Sequence, residues 1–209
     1  NQQPVIDLFA IDHGPGMADL KRCLEDGYST GGTPGNGLGA VRRLSAEFDI
    51  LSAQPTGTIT FARLGPAPRE AFRFGAVCRP SPHETVCGDS WAVAQNGSLL
   101  SAAVIDGLGH GIHAAEASHA ARDVFASHPF DEPDTILTAM HRALTGTRGA
   151  AAMVVQIDAQ RGRVLNAGVG NIAATMVTSS GSKGLVSMNG IVGVNTRRFQ
   201  SFDTPWSAE

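Results

Sequence analysis

The residues of this chain best equipped for chemistry are two aspartates set among glycines. Asp89 lies in Cys87-Gly88-Asp89-Ser90-Trp91, and Asp106 in Val104-Ile105-Asp106-Gly107-Leu108-Gly109-His110-Gly111. Each sits near the end of a segment that reads as a strand, with a hairpin's length of chain between them. Antiparallel pairing of those strands brings both carboxylates to one sheet edge. Carboxylates are hard oxygen donors, the kind that Mg2+ and Mn2+ prefer. Two such ions can hold a water between them and make it a nucleophile near neutral pH. Gly107 lets the backbone come close, and its carbonyl is available as a further oxygen ligand. Asp-Gly and Gly-Asp alone are ordinary turn pairs; the metal reading rests on their order and on the helix that follows. His110 either approaches this site or serves as a helix cap. Arg148, in Gly146-Thr147-Arg148-Gly149, reads equally as a planar phosphate donor or as a solvated loop residue. Cys87 reads as a small, partly buried filler rather than a nucleophile.

A second constellation stands at the front: Asp12-His13-Gly14-Pro15-Gly16 and Gly35-Asn36-Gly37-Leu38-Gly39. A carboxylate at a strand end can accept a hydrogen bond from an adenine amino group. A glycine loop opening onto a helix N-terminus offers backbone N–H groups to phosphates.

The Asp89/Asp106 arrangement resembles the PPM family of phosphatases, in particular its SpoIIE/RsbX-like bacterial branch. In that family a Gly-Asp near the start of the domain and an Asp-Gly at the end of the next long strand bind a metal pair. Asp89 and Asp106 match those positions, and Gly107 matches the glycine whose carbonyl binds metal. The alanine-rich helix after Gly111 and the Gly168-Val169-Gly170-Asn171 turn also look like that branch. The resemblance spans about residues 74 to 193. It implies two Mn2+ or Mg2+ ions and removal of phosphate from serine or threonine of another protein. The family also has late acidic motifs; after Gly193 this chain offers only Asp203, which matches neither, so the site is expected to be incomplete in this stretch.

The front boxes resemble the DxGxG and GxGLG motifs of the GHKL ATPase fold, as in RsbT/RsbW-type serine kinases. The resemblance assigns Asp12, Gly14, Gly16, Gly35, Gly37, Leu38, Gly39 and Thr58 to ATP. Residues 1 to 63 cover only the second half of that fold, so ATP binding is expected to be at best impaired and kinase activity is not expected. A kinase-like half followed by a phosphatase-like domain implies partner switching, with a phosphorylated STAS-type protein as partner. Two rivals stand beside this reading: a catalytically inactive partner-binding module, and an ATP-dependent serine kinase or anti-sigma regulator.

The elements that must position these groups follow from local pattern. Val5 to Ile11 reads as a strand, Met17 to Glu25 as a short helix, and residues 27 to 37 as a glycine-rich loop. Leu38, Val41, Leu44 and Phe48 form one helical stripe. Ile50 to Leu51 and Thr58 to Arg63 read as a hairpin across Pro55-Thr56-Gly57. Leu64 to Arg73 reads as a linker, which divides the chain into 1–63, 64–73 and 74–209. Beyond it, Phe74 to Cys78, Trp91 to Ala94 and Leu99 to Ile105 read as strands, and His110 to Phe125 as a closely packed helix. A further helix carries Ile136, Leu137, Met140 and Leu144, with Pro133 in its first turn. Ala151 to Ile157 and Val164 to Ala167 read as a hairpin, and Ile172 to Val177 and Leu185 to Met188 as strands. Strands, two helices, then strands argue for α+β: a PPM-type antiparallel β-sandwich flanked by helices, preceded by a partial GHKL (Bergerat) α/β sandwich.

Composition sets the remaining bounds. The 209 residues are 42% hydrophobic and 17% charged, with a net charge of -3. That balance is ordinary for a globular protein and does not suggest nucleic acid as a partner. The sequence shows no long apolar run and no leader pattern, so neither a membrane span nor secretion is expected. Three cysteines without a CxxC pair argue against a zinc site and for a reducing cytoplasm. Oligomeric state is left open, with a homodimer among the options.

Overall fold

The computed structural model describes residues 4–29, 31–66 and 72–206, which fall into two compact units, 1–69 and 70–209. In the first unit, β1 (Ile6–Asp12), β2 (Glu47–Ala53) and β3 (Gly57–Leu64) form an antiparallel sheet in the order β1-β3-β2. Two short helices, α1 (Leu20–Cys23) and α2 (Gly37–Leu44), lie between β1 and β2. The helix expected over Met17–Glu25 is reduced to α1, whose N-cap Asp19 accepts a bond from the Arg22 amide. Phe48 leaves the predicted helical stripe and joins β2. Ser45 turns extended and its hydroxyl bonds back to the Val41 carbonyl at 2.6 Å, which closes α2 first. Arg63 ties the sheet laterally, forking onto Asp7 at 2.6 and 2.8 Å and reaching Glu47 at 3.1 Å. That guanidinium, chiefly through its hydrogen bonds, holds the Asp7 carboxyl below its ordinary range. One sheet face carries Phe9, Ile11, Leu51 and Ile59, all exposed.

The second unit is built on a five-stranded antiparallel sheet in the order β10-β7-β6-β5-β4. Its strands are β4 (Asp89–Asn96), β5 (Leu99–Gly107), β6 (Ala150–Asp158), β7 (Arg163–Val169) and β10 (Phe202–Pro205). Helices α3 (Ile112–Ser127) and α4 (Pro133–Ala143) cover one face. Among the described residues the other sheet is a two-stranded hairpin, β8 (Thr175–Thr178) with β9 (Gly181–Gly184). The core joins Ala117, Ala121 and Phe125 of α3 and Ile136, Leu137 and Met140 of α4 to alternate residues of β5, β6 and β7. Alanine keeps α3 close to the sheet, while Phe125, Leu137 and Met140 each contribute roughly 1.5–3 kcal/mol by leaving water. No helix among the described residues is long and apolar enough to cross a membrane.

Two strand expectations and one linker boundary are corrected. Phe74 to Cys78 forms no strand: two prolines, Pro80 and Pro82, follow it closely, and it follows the β4 edge through side-chain contacts instead of a ladder. Gln95 bonds the Phe72 carbonyl at 3.3 Å, Phe74 packs edge-on against Trp91, and the Cys78 thiol lies 3.3 Å from the Asp89 carbonyl. Leu185 to Met188 makes only an isolated bridge, Met188 to Val169, because β8 pairs with the exposed, polar Gly181–Gly184 instead. Leu64, expected as the start of a linker, ends β3; the rest of that linker falls partly on residues 67–71, outside the described residues.

One polar group sits badly in this core. Ser101 is fully buried in β5, and its hydroxyl has no hydrogen-bond partner among the described residues. Ser101→Ala removes a desolvated group without opening a cavity. It is expected to raise unfolding stability by about 1 kcal/mol, read as a higher urea midpoint at unchanged slope.

Candidate active site

The hairpin of β4 and β5 sets the geometry. Gly97-Ser98 is its whole loop, with Asn96 paired to Leu99 and Gly97 at φ 58°. Tight loops of this kind need a positive φ, which glycine supplies without strain. From that turn the register runs without a break to the far end, where Asp89 stands directly opposite Asp106. Strand residues alternate between faces. Ser90 bonds the Ser118 carbonyl of α3 at 2.9 Å, and its partner Ile105 is buried in the core. Asp89 and Asp106 therefore project from the opposite face, away from the helices. The neighbouring β6 residue in that row is Ala151, which takes little room.

Two carboxylates side by side disfavour ionisation of both. Burial first, and then the charge of Asp106 and a hydrogen bond with it, push the Asp89 carboxyl above its ordinary range. A divalent cation relieves that repulsion, and the donor set of two carboxylates and the Gly107 carbonyl fits Mg2+ or Mn2+. Among the described residues no cluster of three or more His, Cys, Asp or Glu side chains could hold a metal. Asp203 does not complete it: it lies on β10, three strand spacings from β5 (roughly 14 Å), level with Ser101 and facing Arg163 at 3.4 Å.

Close packing fixes Gly107. A Cβ there would lie 2.1 Å from the Ala114 carbonyl oxygen and 2.6 Å from that of Gly88. The following loop is held from two sides. Leu108 donates its amide to the Gly149 carbonyl at 3.0 Å, which seats Arg148 against Gly109. His110 pairs through Nδ1 with Glu84 at 2.5 Å. Glu84 was not legible in the sequence, since it sits in an irregular segment with no motif of its own. Cys78 was missed for the same reason: nothing in its spacing from Cys87 announces that the two sulfurs lie 3.0 Å apart. Cys87, read as a filler, is half-buried and donates to the Arg79 carbonyl at 3.2 Å. Burial, followed by contact with Cys87, pushes the Cys78 thiol up to about 11.

In the first unit Asp12 pairs directly with Thr58, two residues assigned to ATP from separate motifs. Asp12 accepts the Gly14 amide at 2.7 Å, buried Thr58 meets Ser52 at 3.0 Å, and Gly16 lies against the Ala53 carbonyl. Gly35 packs on Tyr28, while Gly37, half-buried Leu38 and buried Gly39 open α2, whose N-cap Asn36 makes no side-chain capping bond. Asn36 instead accepts the Gly27 amide at 3.1 Å, which ties this second box to its own loop.

No protein-family model matches the chain. Over 98 residues it is 30% identical to the phosphoserine phosphatase RsbX of Bacillus subtilis (strain 168), covering 47% of this chain and 49% of that protein. Over 53 residues it is 43% identical to the serine/threonine-protein kinase RsbT of the same organism, covering 25% of this chain and 40% of that one. The chain thus spans about half or less of the curated relatives it matches. A solved structure described under the bacterial stressosome, a modular system adapted to control secondary messenger signalling, shares 30% identity at a TM-score of 0.60, over 63% of this chain and 69% of that one. RsbX crystallised in complex with magnesium shares the fold at 23% identity and a TM-score of 0.59, over 63% and 66%. Both matches span more of the chain than the first unit holds, so they extend into the second unit. By fold and by this likeness, the chain belongs to the PPM-type phosphatases, on their SpoIIE/RsbX-like branch, and carries in addition a stretch similar to an RsbT-type kinase.

Proposed function

We propose that this chain is part of a metal-dependent phosphatase that removes phosphate from serine or threonine of a STAS-type partner in bacterial partner switching. The observation that carries the reading is the register pair Asp89–Asp106, two carboxylates forced together on the face away from the helices. Asp89, Asp106 and the Gly107 carbonyl would hold Mn2+ or Mg2+, which supplies a water made nucleophilic and charge to offset the phosphoryl oxygens. Arg148, seated over the same loop, is suited to bind phosphate oxygens through its planar fork. Glu84 fixes the ring of His110 beside that loop. Water attacks phosphorus directly, and the serine oxygen leaves. Phosphate on a partner's interface adds roughly two negative charges and can break that interface; its removal restores the contact.

The test is phosphate release from a phosphoserine STAS protein by the intact protein with Mn2+ present. Release is expected, with Asp106→Ala slower by at least roughly a thousandfold. No release, or an Asp106→Ala variant as fast as the parent, defeats the reading.

A second reading concerns the first unit alone. The pairing of Asp12 with Thr58 supports an ATP-binding role in an RsbT-like serine kinase. Radiolabel transfer from ATP to a STAS protein decides it, and absence of transfer from the intact protein rejects it.

A further inference from the structure

We infer that Cys78 and Cys87 form a dithiol modification site whose co-reactant is a low-molecular-weight disulfide, and whose oxidation acts on Asp89. The two sulfurs stand 3.0 Å apart and neither is in a disulfide. A covalent S–S bond is about 2.05 Å, so roughly 1 Å of closure is needed. Cys78 lies in an irregular segment that meets β4 through side-chain contacts, which leaves it room to give. Cys78 is exposed and Cys87 half-exposed, so a small reagent reaches the pair.

The step balances. One thiol gives up its proton and attacks the reagent's S–S bond; the expelled small thiolate takes up a proton, and a mixed disulfide remains. The second thiol attacks the protein sulfur of that mixed disulfide and expels the other small thiol. The protein loses two hydrogens, and one reagent disulfide becomes two thiols.

The consequence reaches the site through one residue. The Cys78 thiol approaches the Asp89 carbonyl at 3.3 Å, and the Cys87 thiol holds the Arg79 carbonyl at 3.2 Å. Oxidation removes both S–H groups and draws Cys87 toward Cys78. Gly88, between Cys87 and Asp89, has no slack: a Cβ on it would lie 2.8 Å from that of Ala114, and its carbonyl abuts Gly107. The displacement therefore passes to Asp89. This effect rests on the metal reading proposed above, and the bond itself does not.

The experiment equilibrates the intact protein with glutathione disulfide, alkylates free thiols and maps peptides. The expected product is a Cys78–Cys87 cross-link that dithiothreitol reverses, with Cys23 alkylated and no cross-link in Cys78→Ser. Calorimetry then compares Mn2+ affinity of the reduced and oxidised forms. Oxidation is expected to weaken it roughly tenfold, as loss of support behind a metal ligand does, and to leave Cys78→Ser unchanged. Glutathione adducts without the cross-link overturn the inference, as does a cross-linked protein of unaltered Mn2+ affinity. A reduced protein that binds no Mn2+ sinks the metal reading instead, and the peptide map still decides whether the bond forms.

Discussion

Asp106→Asn is expected to weaken Mn2+ binding strongly while raising the melting temperature of the metal-free protein. The two signs come from one cause. Asp89 has its carboxyl held above the ordinary range by burial and by Asp106, so its ionised form is less favourable folded than unfolded. A carboxylate of that kind adds stability below its unfolded pKa, and this is lost as pH rises through its folded pKa. At neutral pH the metal-free protein therefore carries the repulsion, and an amide at position 106 removes it. Solvent screens the pair, so the gain is about 0.5 kcal/mol, or roughly 1–2 °C. Losing one of the two proposed anionic ligands should cost at least roughly a hundredfold in Mn2+ affinity. Calorimetry for the metal and thermal melts with and without chelator measure both. The stability gap between variant and parent should shrink as pH falls through the carboxylate range. A variant that lost metal and stability together would mean that the pair serves the fold rather than a cation.

Gly107→Ala should be the most disruptive single-methyl change in the site. Its Cβ would meet the Ala114 carbonyl at 2.1 Å and the Gly88 carbonyl at 2.6 Å, and neither is a flexible side-chain end. To make room, α3 must lift from β5 or the β4 start must part from it. The cost is about 3 kcal/mol or more, a large share of the roughly 5–15 kcal/mol that holds a domain folded. Urea unfolding should show the midpoint fall sharply. Gly184→Ala, on exposed β9 with open space around the added methyl, is the matched control and should stay within about 0.5 kcal/mol of the parent. Equal losses at both positions would show that crowding at Gly107 is not the cause.

The pairing at the centre of the candidate site was legible in the sequence, and its surroundings were much less so. Asp89 and Asp106 stood out because glycines flank them at the ends of patterned strands, and strand pairing needs only that pattern. The helices were legible for a similar reason, through Pro133 and through the alanine-rich run before Phe125. Glu84, Cys78 and the seat of Arg148 were not, because each depends on how an irregular segment returns to the sheet. β9 and β10 escaped because Gly181–Gly184 is wholly polar or glycine, and Phe202–Pro205 is an edge strand where proline is tolerated. Phe48 misled because its spacing suits a helix that Ser45 in fact ends.

The unbroken ladder from Gly97-Ser98 to the aspartates makes the number of residues in each arm decide which way they point. The tip lies about 25 Å from the carboxylates, yet every rung between carries the phase that aims them. A substitution along that span changes a side chain; a single residue gained or lost within either arm would swing one aspartate into the hydrophobic layer under α3. Related chains should therefore vary freely in what fills these arms while conserving the count, with length changes confined to the tip.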